Sequence, residues 1–426
     1  MIHSADSRLC LAGVKVLDLS QHLPGPYCSR LLSDLGAEVI KVEPVGVNSE
    51  SIVHKGKKST RGSDPARLLP KFFLALHYNK KMISVDLKTP EGLEIVEHLI
   101  AEVDVFLEGF RPGVCEKLGL GFERVKKINP RIVYCSISGF GQNGPLSELP
   151  THDLNLQGFS GSTELDIYRG SQFSSLPIAD FTTATSAACA ISSALFKLKA
   201  HQDAAAIYID AAMSEPLAHM VSIWGHTYVT KAEFKSQLGL DKKFRSSFVK
   251  AVIDRVAHYF VRFGFLKLLP HYGIFETKDK GKIVLGIVDE QQFWQQLCEE
   301  LGAWWPKISK LKMHQRMLLC PIIRALLRRA FKKRNRNDWL ENLAITRKLP
   351  VNSVNNKSSI FDAEQFKERK KFAKVNDQEV FLSPYLHAQE AVNVDVTLGA
   401  DTKRVLGNFG YTATQLSDLQ RKGIID

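Results

Sequence analysis

The stretch "VKVLDLSQHLPGPYCSRLLSDLGAEVIKVE", Val14 to Glu43, decides the fold. It opens within an apolar run of strand length, Gly13 to Ser20. "PGPYCSRLLSDLG" then reads as a loop entering a helix that Gly36 ends. "AEVIKVE" is a second strand, closed by Pro44. Strand, helix and strand in this order predict a parallel βαβ unit with a right-handed crossover. The theme returns in "KKMISVDLKTPEGLEIVEHLIAEVDVFLEGF", where a helix from Thr89 joins two strands. "RIVYCSISGFGQNGP" is a further strand that runs into a glycine-rich loop. The first half is therefore expected to be α/β with a mostly parallel sheet.

Downstream, a long helix is expected from about Thr183 to Leu198, and "AAIYIDAAM" reads as another strand. Residues 217–268 read as a helical, basic connector. "HYGIFETKDKGKIVLGIV" is a hairpin with its turn at Lys278 to Lys282. "DEQQFWQQLCEELGAWWP" opens a helix, and helix continues to Leu343. The expected division is a large α/β domain over 11–216, a linker over 217–268, a smaller α+β domain over 269–345 and a C-terminal segment, 346–426, returning to the large domain. Two domains also suit 426 residues.

A hydrophobic content of 44% and a charged content of 24% are those of a globular chain. No apolar run is long enough to span a bilayer, and "MIHSADSRLCLAG" lacks the basic start and apolar core of a signal peptide. Seven cysteines without a C-x-x-C pair point to a reducing, cytoplasmic setting, with an organellar matrix or peroxisome left open, and away from structural zinc; no metal site is expected. The net charge of +12 suits a phosphorylated small molecule, anionic lipid or nucleic acid, or simply a solvated surface. "LLCPIIRALLRRAFKKRNRNDW", Leu318 to Trp339, concentrates this charge at helical spacing. Its ordinary reading is a surface helix, and contact with a membrane surface is the sharper alternative.

The first βα turn, "LSQHLPGPYCS", is not the G-x-G-x-x-G of a dinucleotide site. Gly139 and Gly141 in "SGFGQNGP" suit either a tight loop or a close backbone approach to a ligand. Lys41, Lys80, Lys81 and Arg111 fall near strand ends, where ligands of open α/β sheets bind and where cations suit phosphates. His152 and Asp180 each stand beside a helix start.

These segments, with "THDLNLQGFSG" and "EGFRPGVCEKLGLG", resemble the family III CoA-transferase superfamily, most closely its α-methylacyl-CoA racemase branch. The resemblance is strong over Leu11 to Met213 and weaker through the hairpin and the terminal "VLGNFGYTATQLSDL". It implies an interlocked homodimer of two-domain subunits with a Rossmann-like large domain. It implies an acyl-CoA thioester as ligand, with no nucleic acid partner and no cofactor beyond the CoA moiety. Lys41, Asn79, Lys80, Lys81 and Arg111 would hold its nucleotide end. Asp180 in "PIADF" matches the family's catalytic Asp, and His152 in "THDLN" matches a His of the racemases, where transferases usually have Tyr. Glu290 matches a Glu near that His.

Moving a proton between the two faces of the carbon beside a thioester is simplest with two acid/base groups on opposite sides. His titrates near neutrality, and Asp joins it if its site raises its pKa. Backbone N–H groups after Asp180 or in the glycine loop are candidate donors to the enolate oxygen. The alternative is a CoA-transferase in which Asp180 attacks the thioester and forms covalent intermediates. A CoA-binding pseudoenzyme is the third reading. It is motivated by departures from the racemases: "FTTATSA" after Asp180 replaces several glycines, Gln157 is more transferase-like, "AHQDAAA" replaces a glycine turn, and the linker before His271 is long and basic.

Overall fold

A computed structural model describes residues 9–46, 70–163, 174–225, 268–302, 305–356, 358–375, 378–382 and 396–426. They form two compact units, the first within Met1–Glu164, Gln172–His219 and Phe361–Asp426, the second within Met220–Ile360. Residues 226–267, most of the expected linker, lie outside the described residues.

The first unit is built on six strands, β1 (Lys15–Asp18), β2 (Glu38–Glu43), β3 (Lys81–Ser84), β4 (Val105–Glu108), β5 (Val133–Ser138) and β6 (Ile207–Ala212). All neighbours pair in parallel, in the order β3-β2-β1-β4-β5-β6. Both faces are covered, which is why β1 and β2 read as nearly unbroken apolar runs. Alternation still sorts the side chains. Leu17, Ile40, Ile83 and Phe106 enter one apolar layer, while Val16, Val39, Val105 and Val133 enter the other.

Four helices matter for the site: α1 (Pro24–Asp34), α2 (Pro90–Ile100), α3 (Asp153–Phe159) and α4 (Ile178–Ala200). Pro24 starts α1, and Gly36, at φ +105°, lets the chain turn away from its end. Thr89 caps α2 by accepting the Gly92 N–H at 3.1 Å. The small residues Ala184, Ala187, Ala188 and Ala194 of α4 share an apolar layer with Leu31 and Leu32 of α1. The C-terminal segment completes this unit. Asp401 accepts the Met82 N–H at 2.8 Å and Thr402 accepts the Ser84 N–H at 3.0 Å, so the β3 edge is covered.

The second unit carries the antiparallel sheet β7 (Tyr272–Glu276), β8 (Lys282–Gly286) and β9 (Val351–Ser353), with helices α5 (Gln291–Leu301) and α6 (Cys320–Phe331). The third strand pairs with the hairpin, which extends this unit to Ile360, past the expected limit at 345. The basic helix is also shorter than the expected 318–339. Its apolar stripe, Ile323, Leu327, Ala330 and Phe331, is buried in this unit's core, so that face is already occupied. Among the described residues, no helix is long and apolar enough to cross a membrane.

Candidate active site

The strand order reverses between β1 and β4. Loops leaving the two strands there diverge, and a crevice opens beyond their carboxyl ends. A cavity of about 250 Å³ occupies this place. It is lined by His22 after β1, Gly109 to Arg111 after β4, Ser138 and Gly139 at the end of β5, then His152, Asp153 and Asp180. His152 and Asp180 thus meet one cavity.

His152 is exposed and stands at the head of α3, where its N–H donates to the Asn155 side chain at 3.0 Å. Asp153, the next residue, was not singled out from the sequence. One of its carboxylate oxygens accepts the N–H groups of Ala179 at 2.7 Å and Asp180 at 3.1 Å. The Gln157 amide donates to the other. Pro177 offers α4 no side-chain cap of its own, so Asp153 supplies one from a distant segment. The helix accordingly begins at Ile178 and not near Thr183, and Asp180 lies inside its first turn. The "FTTATSA" segment continues this helix, and its Thr182, Thr183 and Thr185 hydroxyls are satisfied by carbonyls one turn back, at 2.8, 2.7 and 2.8 Å.

The same contact tunes Asp180. Burial pushes its carboxyl up, the Asp153 charge adds to the rise, and His22 opposes both; the result is about 7. The N–H groups of Ala179 and Asp180 are spent on Asp153. The Ser138 hydroxyl, buried in the cavity wall, has no hydrogen-bond partner among the described residues. Asp153→Asn keeps an oxygen for the cap and removes the charge. Asp180 should then stay a carboxylate to lower pH, and a ¹³C-NMR titration of its carboxyl should show a lower midpoint. An unchanged midpoint would refute the charge coupling.

The expected nucleotide-binding cations divide. Arg111 is exposed and lines the cavity. Lys41 and Lys80, expected to hold the nucleotide end of CoA, are buried. The Lys41 ammonium donates to the Ser20 carbonyl at 2.6 Å and the Val42 carbonyl at 3.0 Å. That of Lys80 donates to the Pro26 carbonyl at 2.8 Å and lies 3.7 Å from Asp18. These amines pin the β1–α1 turn from beneath. Lys81 pairs with Glu38 at 2.6 Å, and Asn79 takes a left-handed φ of +68° just before β3. Gly139 lines the cavity, and a Cβ there would overlap the Thr151 methyl. Gly141, at φ +87°, shapes the loop, whose Gln142 N–H donates to Asp210 at 2.9 Å.

Glu290 belongs to the second unit. It precedes α5 and accepts the Val288 N–H at 2.8 Å, and N–H groups of its own loop hold its carboxyl below the usual range. Among the described residues, no group of three or more His, Cys, Asp or Glu is arranged to hold a metal.

A family model described as CoA-transferase family III matches residues 11–397. The chain is 42% identical over 158 residues to the mouse (Mus musculus) succinyl-CoA:glutarate CoA-transferase, a match covering 37% of this chain and 34% of that one. It thus spans about a third of that relative's length. It is 27% identical to the human (Homo sapiens) alpha-methylacyl-CoA racemase, over 98% of both chains. The crystal structure of a CAIB/BAIF family protein from Brucella suis superposes with a TM-score of 0.71 at 25% identity, covering 95% of this chain and 100% of that one.

Proposed function

Because the chain belongs to CoA-transferase family III, we propose that it is an acyl-CoA racemase of the α-methylacyl-CoA type. The observation that carries this reading is that His152 and an Asp180 raised to about 7 line one cavity. The thioester carbonyl acidifies the neighbouring C–H bond. The Asp180 carboxylate takes that proton, the bond's electron pair becomes an enolate, and His152 delivers a proton to the opposite face. In the reverse direction His152 is the base and Asp180 the acid. Backbone N–H groups of the glycine loop are the remaining candidate donors for the enolate oxygen. No cofactor is required beyond the CoA moiety of the substrate. The homodimer implied by the resemblance belongs to the same proposal, and the role expected of Glu290 rests on that resemblance alone.

The test is incubation with 2-methylacyl-CoAs in deuterated water without an acceptor acid. A racemase exchanges the α-proton, because the proton returned need not be the one removed. The 42% identity to a transferase over 158 residues favours a second reading, in which Asp180 is a nucleophile. A transferase shows no exchange, and hydroxylamine traps its thioester at Asp180.

Arg111 is assigned to an anionic part of the CoA moiety. Arg111→Ala should weaken CoA binding, and the wild-type advantage should shrink as salt rises, since the lost contact is ionic. Calorimetry at two salt concentrations checks this. Equal affinities of both proteins for CoA would remove Arg111 from the binding site.

A further inference from the structure

His22 has no place in the two-base scheme, yet it stands in the same cavity wall. It is exposed, and its backbone has φ +65°, a left-handed conformation that few residues other than glycine adopt. Such conformations persist where the surroundings hold them, and they gather at functional sites. Here two sets of contacts hold it. Lys41 and Lys80 pin the turn from beneath. On its far side, Tyr27 of α1 meets Phe181 of α4 edge to face at 4.9 Å. Phe181 follows Asp180 directly, so this contact ties the His22 turn to the turn that carries the carboxyl.

We propose that His22 is a third acid/base group of the site, the one through which Asp180 exchanges its proton with solvent. The proposal rests on the racemase reading. After the Asp180 carboxylate takes the α-proton, its O–H bond breaks and an N–H bond forms on the neutral imidazole. The imidazolium passes that proton to water, and delivery runs the same path in reverse. No redox partner is needed. The other titratable and charged groups lining this cavity are Asp153 and His152 at the head of α3 and Arg111 after β4. Asp153 raises the pKa of Asp180 and His22 lowers it.

The test is His22→Asn, since Asn tolerates the left-handed backbone and does not titrate. Substrate recovered before racemisation is assayed for deuterium. In the wild type, the enantiomer attacked by Asp180 gains solvent deuterium. In the variant this wash-in should fall about tenfold or more relative to racemisation, because the trapped proton returns to its own carbon. The Asp180 midpoint by ¹³C-NMR should rise, opposite in sign to the effect of Asp153→Asn. An unchanged wash-in ratio overturns the relay, and an unchanged midpoint overturns the pairing. If the wild type exchanges no α-proton at all, the racemase reading has failed, and the midpoint alone then decides whether His22 and Asp180 are paired.

Discussion

Asp180→Asn should slow α-proton exchange by about 10² to 10⁴-fold, the usual range for a positioned general acid or base. The amide occupies nearly the same space and keeps the N–H contacts of the first α4 turn with Asp153. It has no means of taking a proton. The wild type should also show a sign that the variant cannot imitate. With its carboxyl at about 7, Asp180 is a base above that pH and an acid below it. The direction that begins with proton removal by Asp180 should therefore lose rate as pH falls through about 7. The opposite direction needs the protonated form to complete the transfer. Exchange followed by ¹H-NMR from each enantiomer separates the two limbs, and circular dichroism checks that the variant is folded. An Asp180→Asn protein that exchanges within tenfold of wild type would take Asp180 out of the chemistry.

Asp18→Ala should cost about 3–5 kcal/mol of stability, the range for removing one partner of a buried ion pair. Asp18, Lys41 and Lys80 are all buried at the carboxyl end of β1. Asp18 also accepts the hydroxyls of Ser20 and Ser29, so one carboxylate organises both sides of the first turn. Burial pushes its pKa up, but Lys41, Lys80 and the two hydroxyls outweigh it, and the net shift is downward. Its contribution is thus fully present above the unfolded-state value and is lost as pH falls through the folded one.

Lys80 shows the opposite balance. Burial lowers its pKa to about 7 against the pull of Asp18, so holding it charged costs stability, and that cost is relieved as pH rises from about 7. Urea denaturation at neutral pH gives the comparison. A loss below about 1 kcal/mol, the scale of an exposed pair, would mean that the network does not hold the turn. Because His22 belongs to that turn, any surviving Asp18→Ala protein should also lose activity.

Much of this was legible along the chain. The apolar runs of β1 and β2, Pro24 and Gly36 around α1, and Thr89 before α2 act over a few residues, and they marked those elements. The "THDLN" and "PIADF" segments pointed to His152 and Asp180 for the same reason: the motif and its residue are adjacent. The strand order was not legible, because a period of two says which side chains share a face and not which strand lies beside which.

Nor was the start of α4. Its local signal, Pro177 at the head of "PIADFTT", carries no cap, and the capping oxygen arrives from Asp153, 26 residues before the Ala179 N–H that it accepts. Lys41 and Lys80 read as phosphate-binding cations because a lysine's sequence context does not show the carbonyls of Ser20 and Pro26 that receive them. The pKa of Asp180 belongs entirely to the tertiary level. Burial by the packed first turn, the charge of Asp153 and the facing His22 come from three segments that only folding brings to one cavity, and electrostatic energy depends on distance in space rather than along the chain.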